Sequence, residues 1–198
     1  MIGVLVSGEG TNLQALLDAG LPVVAVASNV AGVRALDRAA GAGIPTAVFA
    51  LGDFAERDAR DAAMADWLAE HDVDLVVCAG YMHLLRPVFL ERFPNRVVNV
   101  HPAPLPEFPG SPPLEDVLAA GAPAAAATVH FVDEGVDTGA VIASELVPVL
   151  EGDTVATLRA RVHDAEHRLL PEVVAGLLAE GGTRSAPTAI RVVEGGEG

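Results

Sequence analysis

The chain has no lysine: all twelve basic residues are arginines. That excludes Schiff-base chemistry and a Walker-type P-loop, both of which need a lysine amine. There is one cysteine, Cys78, so no internal disulfide framework can form. Cys78 sits in the apolar run LVVCAG, where a thiol reads as a small buried hydrophobe. Aromatic residues make up only 4% of the chain, so the core must be built mostly from Ala, Val and Leu. Long apolar runs are missing too. The longest uncharged stretch, Val117–Val132, is shorter than the roughly 18 residues of a membrane span, and it contains Pro123 and His130. No positively charged segment precedes the first apolar run, so no signal peptide is expected. Positive charge is also scarce. Twelve basic against 27 acidic residues give a net charge of −15, which lacks the basic footprint of a nucleic-acid binder. The expectation is a soluble cytoplasmic protein with no nucleic-acid or membrane partner.

What is present is ordinary globular composition, 51% hydrophobic over 198 residues, a length that predicts one domain. The first hundred residues alternate short apolar runs with amphipathic ones. Strands are expected at 2–7, 23–27, 46–49, 75–79 and 97–100, and helices at 12–19, 33–42 and 57–71, with Ala59, Ala63, Trp67 and Glu70 at helical spacing in the last. Runs apolar throughout fit strands covered on both faces. The pattern predicts an α/β protein, three-layered, with a doubly wound, mostly parallel sheet. Residues 101–113 hold six prolines and must form an irregular loop. Beyond it, a short helix at 114–120 and two strands at 125–132 and 140–149, joined by DEGVDTG, precede a long helix at 154–179, expected to break near Pro171. The Gly-rich tail, 183–198, is expected to be mobile.

Three segments can carry chemistry. In VLVSGEGTNLQALL, residues 4–17, a strand runs through a glycine-rich turn into a helix. Free N–H groups at Gly10, Thr11 and Asn12 would suit one phosphate monoester, because donors and helix dipole coincide there. The same segment also reads as a plain βα turn capped by Thr11 or Asn12. In VVNVHPAPLP, residues 97–106, Asn99 and His101 share one face at a strand's carboxyl end, where open α/β sheets bind ligands. An amide donor beside an imidazole can hold an oxyanion and manage a proton; the alternative is a capping Asn and a structural His. In DEGVDTG, Asp133 and Glu134 read as solvated turn formers, whereas a carboxylate reaching His101 would raise the imidazole pKa. His130 fits core or site equally. His163 and His167, four apart on a helix, lack the HExxH order, so no metal is expected.

Taken together, SGEGTNLQALLDA, DLVVCAGYMHLL, NVHPAPLPEFPG and TVHFVDEGVDTGAVI resemble, in order and spacing, the folate-dependent glycinamide ribonucleotide (GAR) formyltransferase family, from about Ile2 to Leu178. The resemblance implies a formyltransferase-like fold with a Rossmann-like N-terminal half. Residues 1–100 would then be the phosphate-binding half and 101–180 the folate-binding half. It implies formyl transfer from 10-formyltetrahydrofolate to the GAR amine without a metal. By position, Asn99, His101 and Asp137 would be catalytic, with Asp137 keeping His101 cationic near neutral pH. Gly10, Thr11, Asn12 and Glu166 would bind GAR. Arg57, Met82, His83, Leu84, Leu85, Asp133, Glu134, Gly135 and Val136 would bind the folate. The chain departs from the family at His83, where bacterial members carry an arginine, and at Pro112-Pro113. The expected assembly is a monomer or homodimer. A formyl-folate hydrolase and a non-catalytic phosphate-ligand binder are the competing readings.

Overall fold

The computed structural model describes residues 1–181 and the backbone of Val192–Glu194. The strands are β1 (Ile2–Val6), β2 (Val23–Ser28), β3 (Thr46–Val48), β4 (Leu75–Cys78), β5 (Val97–His101), β6 (Ala124–Phe131), β7 (Val141–Pro148) and β8 (Val192–Glu194). The α-helices are α1 (Thr11–Asp18), α2 (Arg34–Gly41), α3 (Arg57–Glu70), α4 (Pro87–Arg92), α5 (Pro113–Ala119) and α6 (Val155–Ala179). The strands form one sheet in the order β3-β2-β1-β4-β5-β6-β7-β8. The first five in that order run parallel; β6 is antiparallel to both β5 and β7, and β8 runs parallel to β7.

The central strands are apolar because both faces are covered. Every residue of β1 and β4 is buried. One side chain set packs against α1, α2, α5 and α6, and this layer's buried core is wholly aliphatic, for example Val4, Leu13, Ala35, Leu114, Val129 and Leu158. The opposite set meets α3 and α4 and takes in Phe49, Tyr81, Phe89 and Phe93, so the buried aromatics collect on one side of the sheet, while the partly buried Phe108 and Phe131 pack on the other. This is the three-layer, doubly wound arrangement expected from the βα alternation.

Four features differ from expectation. The helix α6 does not break at Pro171. A proline in a helix interior costs about 3 kcal/mol, but Leu169, Leu170, Val174 and Leu177 bury their side chains on both sides of it and hold the helix straight through. The buried stripe of α3 is Arg60, Asp61, Met64, Ala65 and Leu68, not the Ala59–Ala63–Trp67–Glu70 line. Helix α4 and a 3₁₀ turn at Leu51–Asp53 were not expected at all. Of the tail expected to be mobile, only Val192–Glu194 lies within the described residues, and there its backbone pairs with β7.

The β6–β7 turn depends on a close approach. A Cβ on Gly139 would stand 1.7 Å from the Phe131 carbonyl oxygen. Gly139→Ala should therefore lose about 3 kcal/mol or more of stability, read as a lower urea midpoint; an unchanged midpoint would mean that the turn opens without cost.

Candidate active site

Strand β5 positions Asn99 and His101 two residues apart, at the carboxyl end of the parallel part of the sheet. The antiparallel register of β6 sets His130 directly opposite Asn99 and Thr128 opposite His101. Past β6, the turn brings Asp137 back over this pair. Asp137 takes the left-handed conformation, with φ of 53°, which Asp adopts more readily than most residues because its short polar side chain bonds locally.

The Asp137 carboxylate is the hub. Its Oδ2 accepts from the Gly110 N–H at 2.9 Å and faces His101 Nδ1 at 3.4 Å. Its Oδ1 faces Asn99 Nδ2 and His130 Nε2, each at 3.4 Å. Asn99 Nδ2 is also 3.2 Å from His130 Nε2, while His130 Nδ1 meets the Phe131 carbonyl at 2.8 Å. A carbonyl only accepts, so that nitrogen carries the hydrogen. Burial raises the Asp137 pKa, but the His130 bond, the Gly110 N–H and the neighbouring His101 outweigh it, and the carboxylate sits below its ordinary range.

His101 corrects one expectation. Its Nε2 donates to the Phe108 carbonyl at 2.7 Å, and the ring is 5% exposed. Burial dominates and holds its pKa below the ordinary histidine value, although the Phe108 carbonyl and Asp137 pull the other way. Burial thus works against the charge that Asp137 is expected to hold there, although both ring nitrogens face acceptors.

These groups border a cavity of about 510 Å³. Met82, His83, Leu84, Leu85, Asp133, Gly135 and Val136 line it, as do Asn99, His101 and Asp137. Met82 and Leu84 are exposed apolar side chains at its rim. Arg57 and Glu134 do not line it: Arg57 is exposed at the start of α3 and Glu134 at the tip of the β6–β7 turn. Asp133 serves the turn, as its carboxylate accepts from the Gly135 N–H at 3.0 Å and the Thr138 hydroxyl at 2.6 Å. The proline-rich loop closes one side through Gly110–Pro113, with cis bonds at Leu105–Pro106 and Ser111–Pro112.

Some lining residues escaped the sequence reading. His130 fits core or site by sequence alone; the β5–β6 register sets it beside Asn99. Glu115 and Arg159, 3.7 Å apart on α5 and α6, carry no motif. Cys78 touches the cavity, but burial pushes its thiol up to about 12, so it carries no thiolate at neutral pH.

The second group lies where α1 meets α6. Gly10, at φ of 72°, precedes Thr11 and the first turn of α1. A Cβ there would stand 2.6 Å from Ala35 Cβ. Asn12 Nδ2 donates to Glu166 Oε2 at 2.9 Å, and Asn12 Oδ1 is buried with no partner among the described residues. Glu166 is 4% exposed, and burial pushes its carboxyl up to about 7 despite the Asn12 bond. His163, which also lines the cavity, stands 4.0 Å from Glu166 and so links the two groups. No helix of the described residues is long and apolar enough to cross a membrane.

Comparisons with known proteins place the chain in a family. The formyl transferase family matches residues 1–174. The phosphoribosylglycinamide formyltransferase of Mycobacterium tuberculosis is 46% identical over 190 residues, covering 94% of this chain and 88% of that protein. The crystal structure of glycinamide ribonucleotide transformylase 1 from Symbiobacterium toebii superposes with a TM-score of 0.88 at 47% identity, covering 91% of this chain and 87% of that one. The trifunctional purine biosynthetic protein adenosine-3 of Chironomus tentans is 44% identical over 191 residues, which cover 92% of this chain but only 14% of that protein. The fold and site thus define a group-transferring α/β enzyme. The chain belongs to the formyl transferase family and, within it, to the phosphoribosylglycinamide formyltransferases.

Glu166 makes the site's protonation testable. Its folded pKa, about 7, lies above the ordinary 4.5, so the folded state binds the extra proton and stability falls as pH rises through that window. One pKa unit is about 1.4 kcal/mol, so the charged carboxylate costs on the order of 3 kcal/mol at pH 8. Glu166→Gln should melt higher than the parent at pH 8, with the gap closing towards pH 4.5. Parallel melting curves across that range would overturn the assignment.

Proposed function

We propose that this protein transfers the formyl group of 10-formyltetrahydrofolate to the primary amine of glycinamide ribonucleotide. The observation that carries the reading is the Asp137 carboxylate joined to Asn99, His101 and His130 at the end of a 510 Å³ cavity, in a chain of this family.

The amine attacks the formyl carbon directly, so no enzyme nucleophile is needed, in keeping with a chain that lacks lysine and buries its one thiol. The carbonyl oxygen becomes an oxyanion, to which Asn99 donates an amide N–H. The attacking nitrogen must lose one proton and the departing folate nitrogen must gain one. His101 enters neutral, so its first act is to accept a proton. Once charged, the ring is stabilised by Asp137 and the Phe108 carbonyl, and its positive charge offsets that of the oxyanion. An ordered water completes the relay to the leaving nitrogen.

The α1 N-terminus at Gly10, Thr11 and Asn12 takes the GAR phosphate. Glu166 and the unpartnered Asn12 Oδ1 take the amine or ribose region. Met82–Leu85 and residues 133–137 line the folate site, and the exposed Arg57 and Glu134 act at most on the folate tail beyond the cavity. Residues 1–100 thus hold the phosphate and 101–180 most of the folate, in one domain. Small-molecule substrates, a cytoplasmic setting and a monomeric or homodimeric state belong to the same reading.

The test is a steady-state absorbance assay with a 10-formyl folate, with and without GAR. Deformylation that requires GAR is expected; deformylation without it would make the protein a hydrolase, and none in either mixture would leave a binder. Asn99→Ala and Asp137→Ala should each lose about 10²–10³ in rate with the fold intact; near-normal rates in either would sink the catalytic assignment.

A further inference from the structure

The segment 81–86 borders the cavity, and its side chains divide. Met82 and Leu84 stand exposed at the rim, 72% and 49% accessible. His83, between them, also lines the cavity. It meets a polar network beneath the rim that no step of the reaction uses.

Arg60 is the centre of that network and is fully buried. Its Nε and Nη2 reach Asp61 Oδ1 at 2.7 and 2.6 Å, and its Nη1 stands 2.5 Å from His83 Nδ1. The other ring nitrogen, Nε2, lies 3.4 Å from Asn29 Nδ2, and the Ser7 hydroxyl donates to Asn29 Oδ1 at 2.5 Å. The same network grips the segment at both ends. The Met82 N–H donates to Ser7 Oγ at 2.9 Å, and the Arg86 N–H donates to Asp61 Oδ2 at 2.8 Å. Asn29 follows β2, Ser7 follows β1 and His83 follows β4, so the network crosses the carboxyl ends of three neighbouring strands. It ends at the glycine-rich turn.

An arginine has donors only, so the nitrogen it meets must offer a lone pair. His83 Nδ1 is therefore unprotonated, and in the neutral ring the hydrogen sits on Nε2. We infer that His83 is a positioning residue: its imidazole, fixed in the neutral Nε2–H form by Arg60, ties the cavity rim to the buried Arg60–Asp61 pair of α3 and so sets affinity for the formyl folate. The affinity clause rests on the function proposed above; the tie itself does not. Nδ1 is taken by Arg60, and the ring acts on a ligand through the placement of Met82 and Leu84.

The charged groups around the ring favour that form. Arg60 and Arg57 on α3 oppose a second proton, Asp61 on α3 favours it, and the Tyr81 ring packs at 6.0 Å. Burial and the two arginines prevail, and the pKa is held below the ordinary histidine value. A proton added at Nδ1 would confront the guanidinium and release the rim.

Two measurements decide this. Nitrogen-15 NMR of the free protein at pH 7 should show the His83 ring neutral and protonated on Nε2; a ring protonated on Nδ1, or on both nitrogens, would overturn the inference. In His83→Leu, amide exchange at 82–86 should speed up by about tenfold or more, and the KM for formyl folate should rise by about tenfold with a smaller change in kcat. His83→Asn, whose side-chain oxygen can accept from Arg60, should recover most of both. Unchanged exchange and KM in His83→Leu would overturn the positioning role. If GAR-dependent turnover is absent in the parent protein, the function reading fails, while the ring's tautomer and the amide exchange still decide whether the tie exists.

Discussion

A carboxylate placed among three polar side chains and a backbone N–H organises this protein's candidate site. Asp137 can reach Gly110, His101, His130 and Asn99 together only because three constraints coincide. The antiparallel pairing of β5 and β6 sets Asn99 beside His130. The turn that follows is closed by Gly135 and Gly139, where no Cβ fits. Residue 137 accepts a left-handed backbone. Remove any one, and the carboxylate no longer bridges the proline-rich loop and the strands. The loop's own position follows, since the Gly110 N–H is one of the groups that Asp137 holds.

Burial then sets the charge state around this hub. Glu166 is pushed up, and His101, His83 and His163 are pushed down, each chiefly by desolvation. Each of these shifts disfavours the charged form, inside a chain of net charge −15. Asp137 is the exception, because the groups around it repay the cost of its burial. Groups shifted towards neutral pH in this way can take up or give a proton when a ligand arrives.

Much of the fold was legible because local and global demands agree. The βα alternation, the apolar strands and the Gly10 turn each follow from short-range rules, and the structure has them within a residue or two. The Asn99–His101 pair was legible from a two-residue spacing at a strand end. What was hidden depended on contacts distant in sequence. Arg60 and Asp61 carry no motif, yet they are buried because they pair with each other and with groups 20 or more residues away. His130 needed the strand register. The continuity of α6 through Pro171 needed its packing. The lowered proton affinity of His101 needed a burial that no spacing reveals. The Asp137–His101 proximity was expected from family resemblance; the desolvation that works against a charge on the ring was not.

The uneven sharing of aromatic side chains has an optical consequence. The single tryptophan, Trp67, and the single tyrosine, Tyr81, both belong to the α3–α4 layer, while the buried core of the layer holding α1 and α6 is entirely aliphatic. Intrinsic fluorescence therefore watches one side of the sheet and is blind to the other. Far-ultraviolet circular dichroism, dominated by the 25-residue α6, weights the opposite side. The two signals together form a built-in probe of cooperativity: a shared midpoint means that the sheet transmits unfolding between its layers, and split midpoints mean that each layer lets go on its own.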